Sequence, residues 1–347
     1  MMTIKTINNS ISSNSLIDNN LFRLLGDKDY RNIFFDEPTH KYTDNMGNTY
    51  RSVTTVIHDY VPVFDKRYWA TYESRKTGES VSSILSKWES INKHSVNKGN
   101  KKHNELENHV KFTSKFSNAI KYINIDNKLR CFSIKDILLD TTIGEMSISE
   151  FELRLNGKYP LILKTIKYYI DKGYRIYSEI NVYNPNYLVS GTIDILLVKG
   201  NEFIIIDWKT NRKPILFNSG YYKKDKNGIV TSNFVLKKAF MSYPLDYIED
   251  CNGNHYSLQL SLYALMVSAF GYKCNGLILF HINDLYVLNK YGMPAIDENG
   301  LYIKDERNIE IVTPHIISNM VTESKKAITY YYNKNKESIS NQIKLEL

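Results

Sequence analysis

Two apolar runs separated by Gly200-Asn201 constrain the fold of this chain more than any other stretch. The segment reads SGTIDILLVKGNEFIIIDWKT over residues 190–210. Gly-Asn between two runs rich in Ile, Leu, Val and Phe is typical of a β-hairpin with a two-residue turn. If these two residues form the turn, counting back along both strands sets Asp194 directly opposite Asp207.

The polar residues of this hairpin share one face. Side chains alternate along a strand, so Lys209 falls on the same face as Asp194 and Asp207. Opposed carboxylates on neighbouring strands lie roughly 5 Å apart and repel each other, so a chain that keeps two there usually has a cation between them. Oxygen ligands of this kind suit Mg²⁺ or Mn²⁺. The alternative is a hairpin whose polar face points to water.

The second strand of the hairpin shows where these groups would lie. The run Phe203-Ile204-Ile205-Ile206 is apolar on both faces, which predicts a central, buried strand. Asp207 and Lys209 follow that run directly. They are therefore expected to emerge where the interior of a sheet meets a cleft.

Further patterns accompany the hairpin and add chemistry-bearing side chains. On one predicted helix, Gln259 and Tyr263 lie on the same side at positions i and i+4. His103 and Glu107 have the same spacing on an earlier predicted helix. In chain order the patterns are Gly99-x-x-x-His103-x-x-x-Glu107, Glu179, Gly191-x-x-Asp194, Asp207-x-Lys209 and Gln259-x-x-x-Tyr263.

This ordered set resembles the core of the PD-(D/E)XK nuclease superfamily, and in particular its RecB-type exonuclease branch. The branch includes the mitochondrial genome maintenance exonuclease and many phage and viral exonucleases. The resemblance covers about residues 40–320. It implies an α/β fold with a restriction-endonuclease-like core, in which a central mixed β-sheet is flanked by helices and preceded by a helical N-terminal part.

The resemblance implies a site for Mg²⁺ or Mn²⁺. The metal would polarise the scissile phosphate and lower the pKa of an attacking water. A lone helical His is more often a surface residue, but a His beside two Asp is a chemically sensible ligand set. Two interpretations of Glu179 stay open. It is either a carboxylate that contacts the metal directly or through another ligand, or a polar residue on an exposed face. The implied ligands are His103, Asp194, Asp207, the backbone carbonyl of Trp208 and Glu179.

Three side chains are implied in catalysis beside the two aspartates. Lys209 would position the water or remove its proton, and it would counter the charge that grows on the phosphorane. Removing a proton would require a lowered pKa, so positioning and charge stabilisation are the expected role. Gln259 and Tyr263 would orient the nucleic-acid backbone or the lysine. The implied catalytic set is Asp194, Asp207, Lys209, Gln259 and Tyr263.

Charge favours a polyanionic partner, and the resemblance implies DNA. Lys and Arg number 45 against 37 acidic residues, and this net charge of +8 is also compatible with plain solubility. Ser52 and Thr54 fit phosphate contacts or helix capping, with capping expected. Tyr221 and Tyr222 fit base stacking, unless their segment is a surface loop. Further DNA contacts are predicted at Lys98, Lys101 and Lys102, unless they are a solvated charge run.

Composition limits the cofactors and the compartment. The three cysteines are widely spaced, so neither a disulfide framework nor the four-cysteine iron–sulfur cluster of some RecB-type nucleases is expected. No apolar run approaches the ~18 residues of a membrane span, and no signal peptide is expected. An intracellular protein at the site of DNA metabolism, in a cytoplasm or an infected host cell, is predicted. The first arginine is Arg23, which argues against mitochondrial targeting.

The chain is predicted to divide into four segments. A β-hairpin near residues 45–48 and a helix over 80–110, broken near Gly99, belong to the second segment. A helical insertion is predicted over 115–158 and a long helix over 314–333. The segments are a disordered leader at 1–25, an N-terminal region with the His103 helix at 26–172, the nuclease core at 173–335 with an insertion at 211–256, and a tail at 336–347.

The expected function is a metal-dependent DNA exonuclease that acts on ends or single strands in replication, recombination or repair. No Walker-type phosphate loop is present, so unwinding would need a separate helicase. Two alternatives stay open: a nuclease-fold protein that binds DNA without cutting it, and a site-specific endonuclease on the same core. Retention of Asp194, Asp207 and Lys209 favours a catalyst over the silent binder.

Overall fold

The computed structural model describes residues 21–344, apart from residues 37–38, 40, 112–121, 126–127 and 156. The side chains of residues 98, 100, 102–129, 150, 153–155 and 344 also lie outside the description. The first 20 residues of the predicted leader therefore cannot be compared with it.

Twelve β-strands run through the described residues. Most are short, and the three longest, which begin at Arg175, Val189 and Lys273, are buried along most of their length. In chain order they are β1 Ile33–Asp36, β2 Lys41–Asp44, β3 Thr49–Ser52, β4 Tyr122–Ile125, β5 Lys128–Cys131, β6 Arg175–Asn184, β7 Val189–Lys199, β8 Glu202–Lys209, β9 Gly220–Lys224, β10 Val230–Leu236, β11 Lys273–Asp284 and β12 Glu310–Ile316.

Eight α-helices lie among the described residues. Side chains of α1, α7 and α8 share a buried cluster with one face of the central strands, and side chains of α6 share a cluster with the other face. The helices are α1 Val53–His58, α2 Lys66–Thr77, α3 Val81–Lys111, α4 Ile134–Leu139, α5 Ile148–Leu155, α6 Pro160–Asp171, α7 Asn252–Ala269 and α8 Val321–Lys344.

Ten strands form one sheet, and β7 organises it. The order is β12-β11-β8-β7-β3-β2-β1-β5-β4, with β6 also on β7. β6 lies antiparallel along the length of β7 on one edge. On the other edge, β8 covers the second half of β7 and β3 covers its start. Because β8·β11 and β3·β7 are parallel, the predicted α/β fold with a central mixed sheet flanked by helices is confirmed.

The hairpin at the centre of the sequence forms as predicted. Lys199 pairs with Glu202, and the antiparallel register continues to Ile195 opposite Ile206. Gly200 has a φ of +55°, a conformation that costs glycine little. The apolar strand β8 is buried between β7 and β11, as its sequence predicts.

Three predictions in the N-terminal half are wrong. Leu21 and Leu25 are buried, so the last residues of the predicted leader belong to the fold. Helix α3 passes through Gly99 without the predicted break, since one helical glycine costs only about 1 kcal/mol. The predicted helical insertion at 115–158 contains the hairpin β4–β5 as well as α4 and α5, because β5 finds a partner in the distant strand β1.

Two predictions in the C-terminal half also need correction. Pro314 lies in β12, which pairs with β11 alone among the described strands, and an edge strand tolerates proline. The last helix therefore begins at Val321 and extends to Lys344, through most of the predicted tail. The insertion at 211–256, expected as a surface loop, contains the two-stranded sheet β9–β10.

The length and hydropathy of the helices bear on membrane crossing for the described residues. None of their helices is both long and apolar enough to cross a bilayer.

We predict that the buried pair Arg130–Asp136 anchors β5 to α4. Arg130 Nη1 lies 2.8 Å from Asp136 Oδ2, and both side chains are at most 10% exposed. Asp136→Ala would leave the guanidinium buried without its partner and should lower the free energy of unfolding by about 3 kcal/mol. Urea denaturation measures this. Asp140→Ala, at the exposed end of α4, is the matched control, and an equal loss in both variants would contradict the prediction.

Candidate active site

An open cleft lies where β8 and β3 diverge along one edge of β7. Pairing with β8 ends at Ile195 and pairing with β3 ends at Ser190, so no described strand pairs with residues 191–194 on that edge. The cleft has a volume of about 210 Å³. Its lining contains Tyr42, Ser52, Val53, Thr54, Glu179, Gly191, Thr192, Asp194, Asp207, Lys209, Gln259 and Tyr263.

Three acidic residues from neighbouring strands, Glu179 of β6, Asp194 of β7 and Asp207 of β8, line the cleft and are called the row below. Glu179 and Asp194 lie between two observed pairs of β6 with β7, and continuing the register of β7 with β8 by one position would place Asp207 level with Asp194. Glu179, Asp194 and Asp207 are 4%, 5% and 3% exposed. Asp194 Oδ2 accepts a hydrogen bond from the backbone N–H of Trp208 at 3.0 Å. Both aspartates therefore line the cleft, one position beyond the last observed pair of β7 with β8.

Glu179 has an unusual backbone conformation. Its φ is +55° although it lies inside strand β6. A left-handed conformation costs a residue with a Cβ atom about 1–2 kcal/mol. The flanking pairs, Ser178 with Ile195 and Ile180 with Ile193, keep one register, so the irregularity is confined to Glu179. The alternative of an exposed polar residue is wrong, because Glu179 is buried and lines the cleft.

Lys209 is held beside the carboxylates as a cation. Its Nζ lies 2.7 Å from Asp207 Oδ2 and 5.2 Å from the centre of the Tyr256 ring. Burial lowers the pKa of Lys209, but the charges of Asp207 and Asp194 outweigh burial, and the pKa is raised above its ordinary value. An ammonium that stays protonated at neutral pH can donate hydrogen bonds and offset negative charge, but it cannot accept a proton.

Helix α7 closes one side of the cleft. Gln259 Nε2 donates a hydrogen bond to the hydroxyl of Tyr263 at 3.0 Å, and it lies 3.5 Å from Thr54 Oγ1. Burial, and then the nearby Asp207 charge, raise the pKa of Tyr263 well above its ordinary value, so its hydroxyl stays protonated. The structure thus brings this predicted pair into the same cleft as the carboxylates.

Gly191 permits the close approach of α7 to β7. A Cβ atom at this position would lie 2.5 Å from a ring carbon of Tyr263, nearer than real Cβ contacts. Two of the sequence patterns, Gly191-x-x-Asp194 and Gln259-x-x-x-Tyr263, therefore meet through one contact.

The predicted DNA contacts fall into two groups. Ser52 and Thr54 line the cleft, and Ser52 Oγ accepts a hydrogen bond from Thr55 N at 3.1 Å, which confirms its expected capping role. Tyr221 and Tyr222 lie on strand β9 and are not part of the cleft lining, and the Tyr222 ring packs against Phe234. Lys101 is exposed on α3, whereas the side chains of Lys98 and Lys102 lie outside the described residues.

Helix α3 carries His103, whose side chain also lies outside the described residues. A Cβ atom at Gly99, one turn earlier, would lie 3.7 Å from Thr210 Oγ1, so α3 passes the cleft end of β8. Among the described residues, no three His, Cys, Asp or Glu side chains converge closely enough to hold a metal ion. A ligand role for His103, or for the Trp208 carbonyl, therefore stays a prediction.

Several residues near the cleft are missing from the sequence prediction. The Tyr42 hydroxyl lies 3.3 Å from Thr192 Oγ1 inside the cleft. Tyr256 contacts Lys209. It precedes Gln259 by three residues, and this spacing places both residues on one face of a helix, so the sequence did contain a signal for Tyr256. His281, opposite Lys209 in the register of β11 with β8, has Nε2 2.7 Å from the Asn211 carbonyl oxygen. No local pattern indicated that contact.

The fold and the cleft define an α/β protein whose mixed sheet opens beside one strand onto buried acidic side chains and a lysine. Comparisons with models of known protein families and with curated proteins find no match for this chain. What the cleft can do is therefore judged from its own side chains.

We predict an energetic coupling between Gly191 and Tyr263. Gly191→Ala should lower the free energy of unfolding by about 1–3 kcal/mol, because the new methyl group meets the Tyr263 ring. In Tyr263→Ala the ring is gone, so adding Gly191→Ala should cost at least about 1 kcal/mol less than it does alone. Gly276→Ala is the matched control, since its Cβ would meet Ile204 at an ordinary 3.7 Å. Strict additivity of the two changes would contradict the close contact.

We predict that Lys209 stabilises the fold at every pH below its raised pKa. When the pKa of a lysine is higher in the folded state than in the unfolded state, its charge stabilises the fold fully below the unfolded-state pKa of about 10.4. That stabilisation is lost as the pH rises through the folded-state pKa. The difference in unfolding free energy between wild type and Lys209→Met should thus be constant from about pH 7 to 9.5 and shrink above about pH 10.5. Denaturation at several pH values measures this, with Lys101→Met as the exposed control. A difference that vanishes already between pH 7 and 9 would indicate a lowered pKa.

Proposed function

We propose that this chain is a divalent-metal-dependent deoxyribonuclease with a restriction-endonuclease-like core, and that it removes nucleotides from DNA ends or single strands. One observation carries the proposal: Glu179, Asp194 and Asp207, from three neighbouring strands, line one cleft together with the Lys209 ammonium, which lies 2.7 Å from Asp207. Burying these charges at an open cleft is unfavourable for folding and is typical of a functional site.

The donor atoms of the row fit Mg²⁺ or Mn²⁺. Both ions prefer carboxylate and carbonyl oxygens, and Asp194 and Asp207 offer them from adjacent positions. No three described His, Cys, Asp or Glu side chains lie close enough together to hold a metal ion. The set would therefore be completed by His103, the Trp208 carbonyl or water, with Glu179 contacting the ion through water. When bound, such an ion polarises a phosphate and lowers the pKa of an attacking water.

Lys209 is suited to charge stabilisation in this proposal. Its raised pKa keeps it an ammonium, so it would hold the attacking water by donating a hydrogen bond and offset negative charge on the phosphate oxygens. Asp207 fixes the position of this ammonium at 2.7 Å. Proton removal by Lys209 is disfavoured for the same reason. The neutral donors of the cleft would bind the phosphate backbone, through Gln259, Tyr263, Ser52 and Thr54.

The charge of the whole chain supports a nucleic-acid substrate. A net charge of +8 attracts a polyanion, and Lys101 is exposed on the helix that passes the end of β8. Such an enzyme would work within the cell where DNA is replicated, recombined or repaired. Unwinding of duplex DNA would come from a separate helicase.

We predict that Asp207→Asn abolishes metal-dependent cleavage. In Mg²⁺ or Mn²⁺, wild type should shorten 5′- and 3′-labelled oligonucleotides, and the variant should do so at least about 100-fold more slowly because it loses one carboxylate of the row. Asp284→Asn is the matched control, since Asp284 is also a buried aspartate, lies 3.2 Å from Lys304 and is outside the cleft lining. Undiminished cleavage by the Asp207 variant would end the enzyme proposal.

The same preparation separates the two alternatives. A site-specific endonuclease should cut closed circular DNA, which an exonuclease spares. A protein that binds DNA without cutting it should retain the oligonucleotide in all variants and release no nucleotide with any of the metals.

A further inference from the structure

An exposed cluster of aromatic rings lies outside the cleft, on α2 and the loop before it. Phe64, Tyr68, Trp69 and Tyr72 are 56%, 60%, 37% and 53% exposed. Within α2, Ala70 is the buried residue, so this helix is largely covered by water. Contiguous exposed apolar groups of this size mark an interaction site more often than a bare surface.

The rings are held by one another. The Phe64 and Trp69 planes are parallel within 3°, with centroids 6.5 Å apart. Tyr68 and Tyr72 meet the Trp69 ring edge-on, with centroids 5.3 and 5.8 Å away, and Trp88 of α3 lies 6.0 Å from Phe64. These five residues are called the aromatic surface below. Rings fixed in this way lose little freedom when a flat ligand stacks on them.

Basic side chains lie at both ends of α2 and beside Trp69, while two carboxylates, Asp65 and Glu73, lie one helical turn before and after Trp69. Lys66 and Arg67 open α2, Arg75 and Lys76 close it, and all four are exposed. From the end of β10, Lys237 places its Nζ 5.5 Å from the centre of the Trp69 ring. Aromatic faces among exposed cations fit a partner that carries both flat rings and negative charge. An apolar protein surface would leave these cations desolvated without a partner.

Helix α3 connects the aromatic surface with the end of β8. Trp88 precedes Gly99 by eleven residues on the uninterrupted helix α3, a distance of about 16 Å along the helix. Gly99 lies against Thr210, the residue after Lys209. The aromatic surface and the end of β8 therefore lie beside the same helix.

We propose that the aromatic surface binds single-stranded nucleic acid by stacking its bases on Trp69, Tyr72 and their neighbours while the basic side chains contact its phosphates. This inference rests on the proposed function, because the strand it holds would be the one that enters the cleft. Single strands fit and duplexes do not, because bases paired within a helix cannot reach an aromatic ring.

The experiment measures binding without metal, so that cleavage cannot interfere. A fluorescein-labelled oligothymidylate is titrated with full-length protein in EDTA, and anisotropy gives the dissociation constant. Trp69→Ala and Tyr72→Ala should each weaken binding roughly 5- to 100-fold. Tyr168→Ala should leave it unchanged. Tyr168 is a matched control because it is 53% exposed and has the Lys172 Nζ 4.5 Å from its ring centre, but it lies on α6.

Intrinsic fluorescence gives a second readout. The chain has three tryptophans, of which Trp69 and Trp88 lie on the aromatic surface, while Trp208 is buried. Oligothymidylate should quench the tryptophan emission of wild type, and Trp69→Ala should lose much of that quenching. Duplex of the same length should quench neither. Equal thermal midpoints of the variants would show that each is folded.

The outcomes separate this inference from the proposed nuclease. Binding and quenching that depend on Trp69 and Tyr72 but accompany no cleavage would support the surface and overturn the enzyme. Cleavage with unchanged binding in both variants would overturn the surface and leave the enzyme. Unchanged binding in Trp69→Ala, together with a wild-type dimer that this variant converts to monomer in sedimentation, would overturn the inference in favour of a contact between two copies of the chain.

Discussion

The cleft is built by placing negative charge where strand β7 changes its pairing partner from β3 to β8. Strand β7 pairs with β8 along one half and with β3 at its start, and the edge between them is open. Asp194 lies at this opening, and Glu179 and Asp207 line the same cleft from the strands on either side. Close carboxylates repel each other strongly when water is excluded. The Lys209 ammonium beside Asp207 compensates for part of that repulsion, so the charges of the cleft form one electrostatic unit.

Tight packing holds this unit in place. Helix α7 approaches β7 because Gly191 has no side chain, and Tyr263 fills the space that results. The strained backbone of Glu179 adds a third acidic residue to the cleft lining. Strain of this kind persists when the surrounding structure determines it. Folding energy is thus spent on a polar cleft that the sheet itself does not require.

Local patterns predicted the hairpin, its register and the face shared by Asp194, Asp207 and Lys209, because turn chemistry and strand alternation act over a few residues. The pairing of β5 with β1 joins distant segments and left no periodic signal. The φ of Glu179 depends on its neighbours in three dimensions, so no sequence rule indicates it. In the sequence, the aromatic residues of α2 look like ordinary helix positions. Only the structure shows that their rings contact one another. The α/β class with a central mixed sheet was therefore predictable, and the irregular features of the site were not.

The central claim is that Asp194 and Asp207 share a divalent cation. Crystals of the protein soaked in Mn²⁺ and measured for anomalous scattering would test it most directly. We expect an anomalous peak between the two carboxylates, roughly 2 Å from an oxygen of each. Full Mn²⁺ exposure with no peak at this position, or a peak held only by residues outside the cleft, would contradict the claim.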